Sequence, residues 1–237
     1  MQGRKRLTTR RTIQNSLFVL LIGATILPIQ SLNNLFTQRS PNSNRNKCNF
    51  LNGLDTLNGI NSATPERTAL LQEMITDPTV SSFPAVAAGT WTVLYAPHIT
   101  TMARVLGNSA FDPILYQMHA DGTMTSHVRW TFLERFSCWL SVSGTYASQD
   151  DDRVSRVSFD QVWMKWNACL EDGPYPTLQD VPASWWKTIV QTMGQLGFVE
   201  SFSVFPVAYL DNDLIVFDFK LLGTRICARK LPRNDLY

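Results

Sequence analysis

The chain has 237 residues, 44% hydrophobic and 17% charged, a balance that suits one compact domain with an extension and excludes disordered, collagen-like and multi-span membrane chains. Its formal charge of +2 conceals an asymmetry, because residues 1–54 hold eight Lys or Arg and no acid, leaving 13 basic and 19 acidic residues, about −6, for the rest. A body of that sign offers no footing for a phosphate backbone, so nucleic acid is not expected as a partner.

Arg4, Lys5, Arg6, Arg10 and Arg11 precede the apolar run Leu17 to Leu27, and the stretch to Asn46 is rich in Asn, Gln, Ser and Thr. This composition reads as a targeting leader over residues 1–46. The apolar run is shorter than the roughly 18 residues a spanning helix needs, and Pro28 closes it. A cleaved targeting peptide is the favoured reading, with an uncleaved signal anchor as the alternative. Cys48, Cys138, Cys169 and Cys227 show no C-x-x-C spacing, so no disulfide framework is expected. Cys138 and Cys227 fall in strand-like runs, where a thiol is a small buried apolar group.

Residues 47–88 read as a linker with one short helix. Thr64 is its N-cap, Pro65 its first residue and Leu70, Leu71, Met74 and Ile75 its apolar stripe, with Pro78 as the stop. From Gly89 the pattern becomes eight strand-length runs rich in Val, Thr, Tyr, Phe and Trp: 90–96, 113–120, 123–132, 136–148, 154–165, 199–210, 214–222 and 224–231. Asp121-Gly122 predicts a two-residue type I′ turn between the second and third runs, and Asp211-Asn212 is a weaker turn signal. Eight strands in hairpin order predict a mainly β chain, a single antiparallel barrel over 89–237, because closure removes exposed edges. One helix interrupts it, from about Pro182 to Leu196, with Trp185, Ile189, Met193 and Leu196 on one side and Gly197 as the stop. It is expected to plug or flank a barrel end.

Alternation predicts the faces of the strands. Trp91, Val93 and Tyr95 share one face. Pairing across the two-residue turn puts Leu115, Gln117 and His119 beside Met124, Ser126, Val128, Trp130 and Phe132. Phe136, Cys138, Leu140 and Val142, then Val157, Phe159, Gln161 and Trp163, continue the inward set. An eight-stranded barrel is just wide enough to be filled by side chains or to hold one small ligand, so these residues serve packing or ligand contact.

The three histidines do not make a metal site: the register points His119 and His127 to opposite faces, and His98 follows a Pro in a loop. Asp150-Asp151-Asp152 lacks the Gly and terminal Glu of a calcium loop. No nucleophile elbow, phosphate loop or dinucleotide-binding Gly pattern occurs. Asp211 with Asp213 or Asp218 are the candidate paired carboxylates, against turn capping and surface charge as the plainer reading. No catalytic residue and no metal is assigned.

Gly89-Thr90-Trp91 opens the first strand, and Gly-x-Trp at that place resembles the lipocalin signature, in which the Trp seals the barrel base and an Arg near the last strand stacks on it; Arg225 and Arg229 are the candidates. Three stretches extend the likeness. The Thr64-Pro65-Glu66-Arg67 helix leads into Gly89-Thr90-Trp91-Thr92-Val93-Leu94-Tyr95; Ile114-Leu115-Tyr116-Gln117 follows; and Tyr209-Leu210-Asp211-Asn212-Asp213-Leu214 precedes Gly223 and the run Ile226 to Lys230. Together they resemble the plastid lipid-associated proteins, or fibrillins, which are lipocalin-like barrels of plastoglobules and thylakoids. The chain is identified as a divergent member, since Ile215, Val216 and Phe217 stand where the family places basic residues and the Trp185-Trp186 insertion lacks a counterpart.

The resemblance implies a non-enzymatic chloroplast protein, at thylakoids or plastoglobules, that binds or carries a lipophilic small molecule. No cofactor is required, and a lipid, carotenoid or quinone is the implied ligand. Trp91, Tyr95, Trp130, Leu140, Phe159 and Trp163 are then the expected wall residues and Gln117 and Tyr209 the polar anchors, with Asp211 carried over from the family's Tyr-Leu-Asp. The partners implied are a membrane surface or thylakoid membrane proteins. The alternative is a thylakoid assembly or photosystem-associated subunit whose barrel is filled by its own side chains, with Trp139, Trp166, Trp185 and Trp186 facing its partners. An isomerase or epoxide-type enzyme would need a cavity carboxylate of raised pKa.

Overall fold

The structure is a computed structural model that describes residues 42–54, 59–76, 83–107, 109–133, 135–149, 154–167, 171–197 and 204–232. The expected leader up to residue 41, Pro78, the Asp150-Asp151-Asp152 loop, Cys169 and the start of the sixth expected strand lie outside the described residues, as do the side chains of Met193 and Leu196.

Eight antiparallel strands close into one barrel in chain order. They are β1 (Gly89–Tyr95), β2 (Ser109–Met118), β3 (Thr123–Phe132), β4 (Phe136–Gln149), β5 (Val154–Trp166), β6 (Val204–Leu210), β7 (Leu214–Phe219) and β8 (Thr224–Lys230). β8 pairs with β1 to complete the ring. The seam between β5 and β6 is short, with Val154, Ser155 and Arg156 paired to Pro206, Phe205 and Val204. Beyond Arg156, β5 has no second strand beside it among the described residues, and helix α5 (Trp185–Gly197) packs on it.

Four helices precede α5: α1 (Asn42–Asn52), α2 (Pro65–Ile75), α3 (Phe83–Ala87) and α4 (Pro97–Val105). α2 is the helix read from the sequence, and Thr64 Oγ1 accepts from the Arg67 N–H at 3.2 Å while Leu71 and Met74 are buried. The other three are additions. α1 starts at Asn42, inside the stretch assigned to the leader, and α4 makes His98 helical rather than a loop residue, because Pro97 at the first helical position presets the backbone angle. α1 and α2 cover the outside of β1 and β6–β8, where Phe50, Leu54, Leu71 and Met74 meet Tyr95, Tyr209, Leu214, Val216 and Cys227.

The register departs from strict alternation at five places, one of them a shift within β2 between Phe111 and Ile114. The β2–β3 loop is Ala120-Asp121-Gly122: His119 accepts from the Gly122 N–H at 3.1 Å and donates to Thr123 O at 2.9 Å, and Gly122 sits at φ +83°. This is a three-residue loop with a left-handed Gly in place of the two-residue turn, and Asp121 accepts from the Thr123 N–H rather than occupying a type I′ position. Met118 therefore pairs with Met124 and Tyr116 with Ser126. One residue of slip turns Leu115 and Gln117 outward and Ile114, Tyr116 and Met118 inward. Register shifts between Val93 and Tyr95, between Ser143 and Gly144, and between Val207 and Tyr209 do the same to Tyr95, to Gln161 with Trp163, and to Tyr209.

Candidate functional site

The floor of the barrel is sealed. α3 closes it, with the Phe83 ring edge-on to Tyr146 at 5.8 Å. The Trp91 indole N–H donates to Ala87 O at 2.8 Å, and Lys230 Nζ lies 5.1 Å above the Trp91 ring while donating to Val86 O. The cation on the Trp is thus Lys230, directly across the β1–β8 ladder from Trp91. Neither expected arginine takes that place: Arg225 pairs with Asp218 at 2.9 Å and reaches Gln72, and Arg229 is exposed. Gly89 sits at φ +138°, and a Cβ there would fall 2.5 Å from Lys230 Cε. The Gly of Gly-x-Trp is therefore required by backbone angle and by the lysine that roofs the Trp.

Above the floor the interior divides in two. On β1 and β6–β8 the inward side chains are buried apart from the half-buried Phe205, among them Trp91, Val93, Val207, Leu210, Ile215, Ile226 and Ala228. On β2–β5 many inward side chains are only half-buried: Tyr116, Val128, Trp130, Leu140, Val142, Phe159 and Met164. Tyr116 is the most informative of these. It is enclosed deeply enough that burial pushes its phenol up to about 12, yet it keeps accessible surface, and its hydroxyl has no hydrogen-bond partner among the described residues.

The opposite end is edged with aromatic rings and a single imidazole. Phe205 stacks on Phe219 at 5.7 Å and meets Phe217 edge-on at 6.1 Å; Phe111 stacks on Trp130 at 6.0 Å. His98, on α4, lies 5.1 Å from the Phe219 ring, and its Nδ1 shares a hydrogen bond with Thr224 Oγ1 at 3.1 Å. Burial lowers the His98 pKa to about 4, so the ring is neutral at ordinary pH. The inward wall thus carries aromatic rings and, on the Trp91 rung, a protonated phenol, while the far end carries a neutral imidazole: hydrogen-bonding groups without charge.

Of the residues expected to bind a ligand, Trp91, Trp130, Leu140 and Phe159 face the interior, Trp91 within the sealed floor. Tyr95, Gln117, Trp163 and Tyr209 face outward because of the register shifts above. Asp211 is a turn cap: its Oδ1 accepts from the Asp213 and Leu214 N–H groups at 2.8 Å, and its Oδ2 accepts from Tyr209 at 2.8 Å and from Lys47 at 2.7 Å. Burial raises the Asp211 pKa, but the Lys47 ammonium and the N–H and O–H donors outweigh it and hold the carboxyl below its usual range. It is a saturated carboxylate and not the proton-holding group that an acid–base reaction needs. Sequence reasoning missed Tyr116, Phe205 and His98. A three-residue count for the β2–β3 loop would have found Tyr116.

A second polar cluster lies on the outer face of β3–β5. His127 and Ser141 share a 2.8 Å hydrogen bond through Nδ1, the Trp163 ring stands edge-on to His127 at 6.2 Å, and the Trp163 indole N–H donates to Tyr175 O at 2.8 Å. His127 and Ser141 are fully buried, His127 Nε2 has no partner among the described residues, and burial lowers the ring's pKa to about 4. Trp139, expected at a contact surface, is 1% exposed on this same face. The pair is closed to solvent, and no third group orients it among the described residues, so packing is its plainer role.

A scan of the chain against protein-family models finds no match, and no curated protein sequence matches it.

Proposed function

We propose that this protein binds and carries a lipophilic small molecule inside its barrel, without catalysing a reaction on it. The observation that supports the reading most is the half-buried inward wall of β2–β5 around Tyr116. A filled barrel asks for inward side chains in full contact, and on β2–β5 fully buried ones such as Ile114, Met118, Met124 and Val157 alternate with the half-buried ones. The lining favours a long apolar molecule with at most one neutral polar end, such as a carotenoid, a quinone or an acyl lipid. Apolar burial contributes about 25 cal/mol per Å², so ~400 Å² of tail supplies roughly 10 kcal/mol before the cost of immobilisation. Tyr116, protonated at all physiological pH, donates to a carbonyl or hydroxyl at that end.

The residue-level likeness to plastid lipid-associated proteins supports a chloroplast setting at thylakoids or plastoglobules, consistent with the acid-free leader. The test is to purify the full chain after incubation with plastid lipid extract and identify what remains bound by absorbance and mass spectrometry. A stoichiometric ligand is expected. Leu140→Trp, which fills the space, is expected to abolish retention, and Tyr116→Phe to weaken it for ligands with a polar end only. Folded protein that retains nothing, with Leu140→Trp indistinguishable from wild type, refutes the reading and leaves the filled-barrel assembly subunit.

A further inference from the structure

Three buried nitrogens on the outer face of the barrel have no hydrogen-bond partner among the described residues: His127 Nε2, Arg129 Nε and Trp139 Nε1. They belong to neighbouring positions of one patch. His127 and Arg129 are two apart on β3 and share a face, about 7 Å from one another along the strand. Trp139 stands directly across the β3–β4 ladder from Arg129, as Ser141 does from His127. His127 is 0% exposed and Trp139 1%, while Arg129 is half-buried. The other such atom, Ser155 Oγ, lies away from them at the far end of the β4–β5 ladder, where Ser155 pairs with Ser148. Buried polar groups in native proteins are nearly all paired, and three adjacent exceptions call for an occupant.

The three atoms have one chemical character. Indole and guanidinium nitrogens only donate. With the Ser141 hydroxyl donating to His127 Nδ1 at 2.8 Å, the neutral imidazole carries its proton on Nε2 and donates as well. The ion pairs among the described residues are made by Lys47 and Arg225, so the Arg129 guanidinium has none. Asp112 is the acid that senses Arg129, yet burial dominates its shift and raises its pKa. Lys165, across β4–β5 from Trp139, directs its Nζ to Asp172 O and Gly173 O. Asp160 accepts from Ser143 Oγ at 3.1 Å, and Glu171 and Asp172 are exposed. A water molecule accepts through two lone pairs, too few for three donors, and it leaves the guanidinium charge without an opposite.

We propose that this patch is a site for a small oxyanion of the sulfate or phosphate type, held by the Arg129 Nε–H, the Trp139 indole N–H and the His127 Nε2–H. An oxyanion carries only acceptors and meets a set made only of donors, and the bond from the guanidinium is charge-assisted. The ion enters from the side of Arg129, the half-buried member. Because the set offers no acceptor, an anion without a proton fits it best, so sulfate is expected to bind at least as tightly as phosphate. The site lies on the opposite side of the wall from the barrel interior and stands independently of the carrier reading. An ion there ties β3 to β4 through their side chains, and the fold is more stable for it.

The test uses the full chain in chloride buffer at pH 7.5, titrated with sodium sulfate or sodium phosphate at constant ionic strength. Thermal unfolding and the indole N–H signals of a nitrogen–proton correlation spectrum are read together. In wild type, the indole signal that Trp139→Phe lacks is expected to move with sulfate and to saturate. Tm is expected to rise along the same curve, by about 5–10 °C at a hundred times Kd. Arg129→Gln is expected to weaken binding tenfold or more, and Trp139→Phe to reduce the saturable rise. Arg129→Gln, at a half-buried position, carries the comparison if Trp139→Phe does not fold. Sulfate excluded from the protein surface also raises Tm, but without saturation and equally in all variants. Equal rises in wild type and Arg129→Gln therefore overturn the proposal, as does a Trp139 signal that neither anion moves, which would leave the three donors to ordered water.

Discussion

Acid lability offers a quantitative check of the packing on the outer face of β3–β5. His127 is fully buried with Nε2 unpartnered, and burial lowers its pKa from 6.5 to about 4. The folded state therefore resists protonation that the unfolded chain accepts below its ordinary pKa. Stability from this group is complete above pH 6.5 and is lost as pH falls through the window between 6.5 and 4, because there the unfolded state binds more protons. At about 1.4 kcal/mol per unit, the loss between pH 7.5 and 5 is about 2 kcal/mol, and about 3 kcal/mol by pH 4. His127→Gln keeps a partner for Ser141 but cannot titrate. Urea unfolding of wild type and variant at pH 7.5 and 5 isolates the term, since the carboxylates and His98 titrate in both. The variant is expected to lose about 2 kcal/mol less than wild type over this interval. Equal losses in the two proteins would mean that His127 is solvated in the folded state.

Two further substitutions probe the frame. Gly144 stands at the β4–β5 bulge, where a Cβ would meet Ser158 O at 2.1 Å and Phe159 Cα at 2.8 Å; Gly144→Ala is expected to destabilise by about 3 kcal/mol, at the upper end of overpacking costs, read as a lower urea midpoint. Lys47 bridges Asp211 at 2.7 Å and Asp213 at 3.0 Å, with its own side chain 12% exposed. Lys47→Met leaves the Asp211 carboxylate without its cation and is expected to cost about 2 kcal/mol at neutral pH. The deficit shrinks in acid as Asp211 protonates in both proteins, and a deficit that does not change with pH would show that Lys47 acts by packing alone.

The strands, their order and the barrel were legible because turn residues and β-branched runs are local signals. The faces were not, and the reason lies in what covers the wall. In β7 the run Leu214, Ile215, Val216 and Phe217 is buried on both sides, inward by the barrel core and outward by α1 and α2, so hydrophobic alternation carries no information there. The same holds at Tyr95, Trp163 and Tyr209, large aromatics that read as core but lie under helices or the 171–181 segment. A one-residue bulge between two apolar faces leaves no trace in composition. The error in the β2–β3 hairpin has another cause: Asp-Gly serves both a two-residue loop and the last two positions of a three-residue loop, and the choice moves Tyr116 from one face to the other. α5 misled in the opposite sense, because Trp185 and Ile189 of its apolar stripe are exposed.

The two-sided construction bears on whether a space inside the barrel can persist. An empty apolar space forfeits dispersion contacts, and its walls tend to collapse unless something holds them apart. Here one half of the wall is held from both faces: β1 and β6–β8 are filled within, covered by α1 and α2 outside, and tied to α1 through Lys47 and Asp211. The other half, β2–β5, is anchored to it at β1–β2 and, among the described residues, meets β6 over three rungs. Occupancy should therefore stabilise the fold visibly. A ligand at a hundred times its dissociation constant adds about 2.7 kcal/mol, which for a domain of this size is a rise in Tm of roughly 5–10 °C. The measurement is thermal unfolding of the full chain with and without the lipid or pigment retained on purification. Leu140→Trp should raise the Tm of the empty protein toward the liganded value and respond no further to ligand. A wild-type Tm that the retained molecule leaves unchanged would place that molecule outside the barrel.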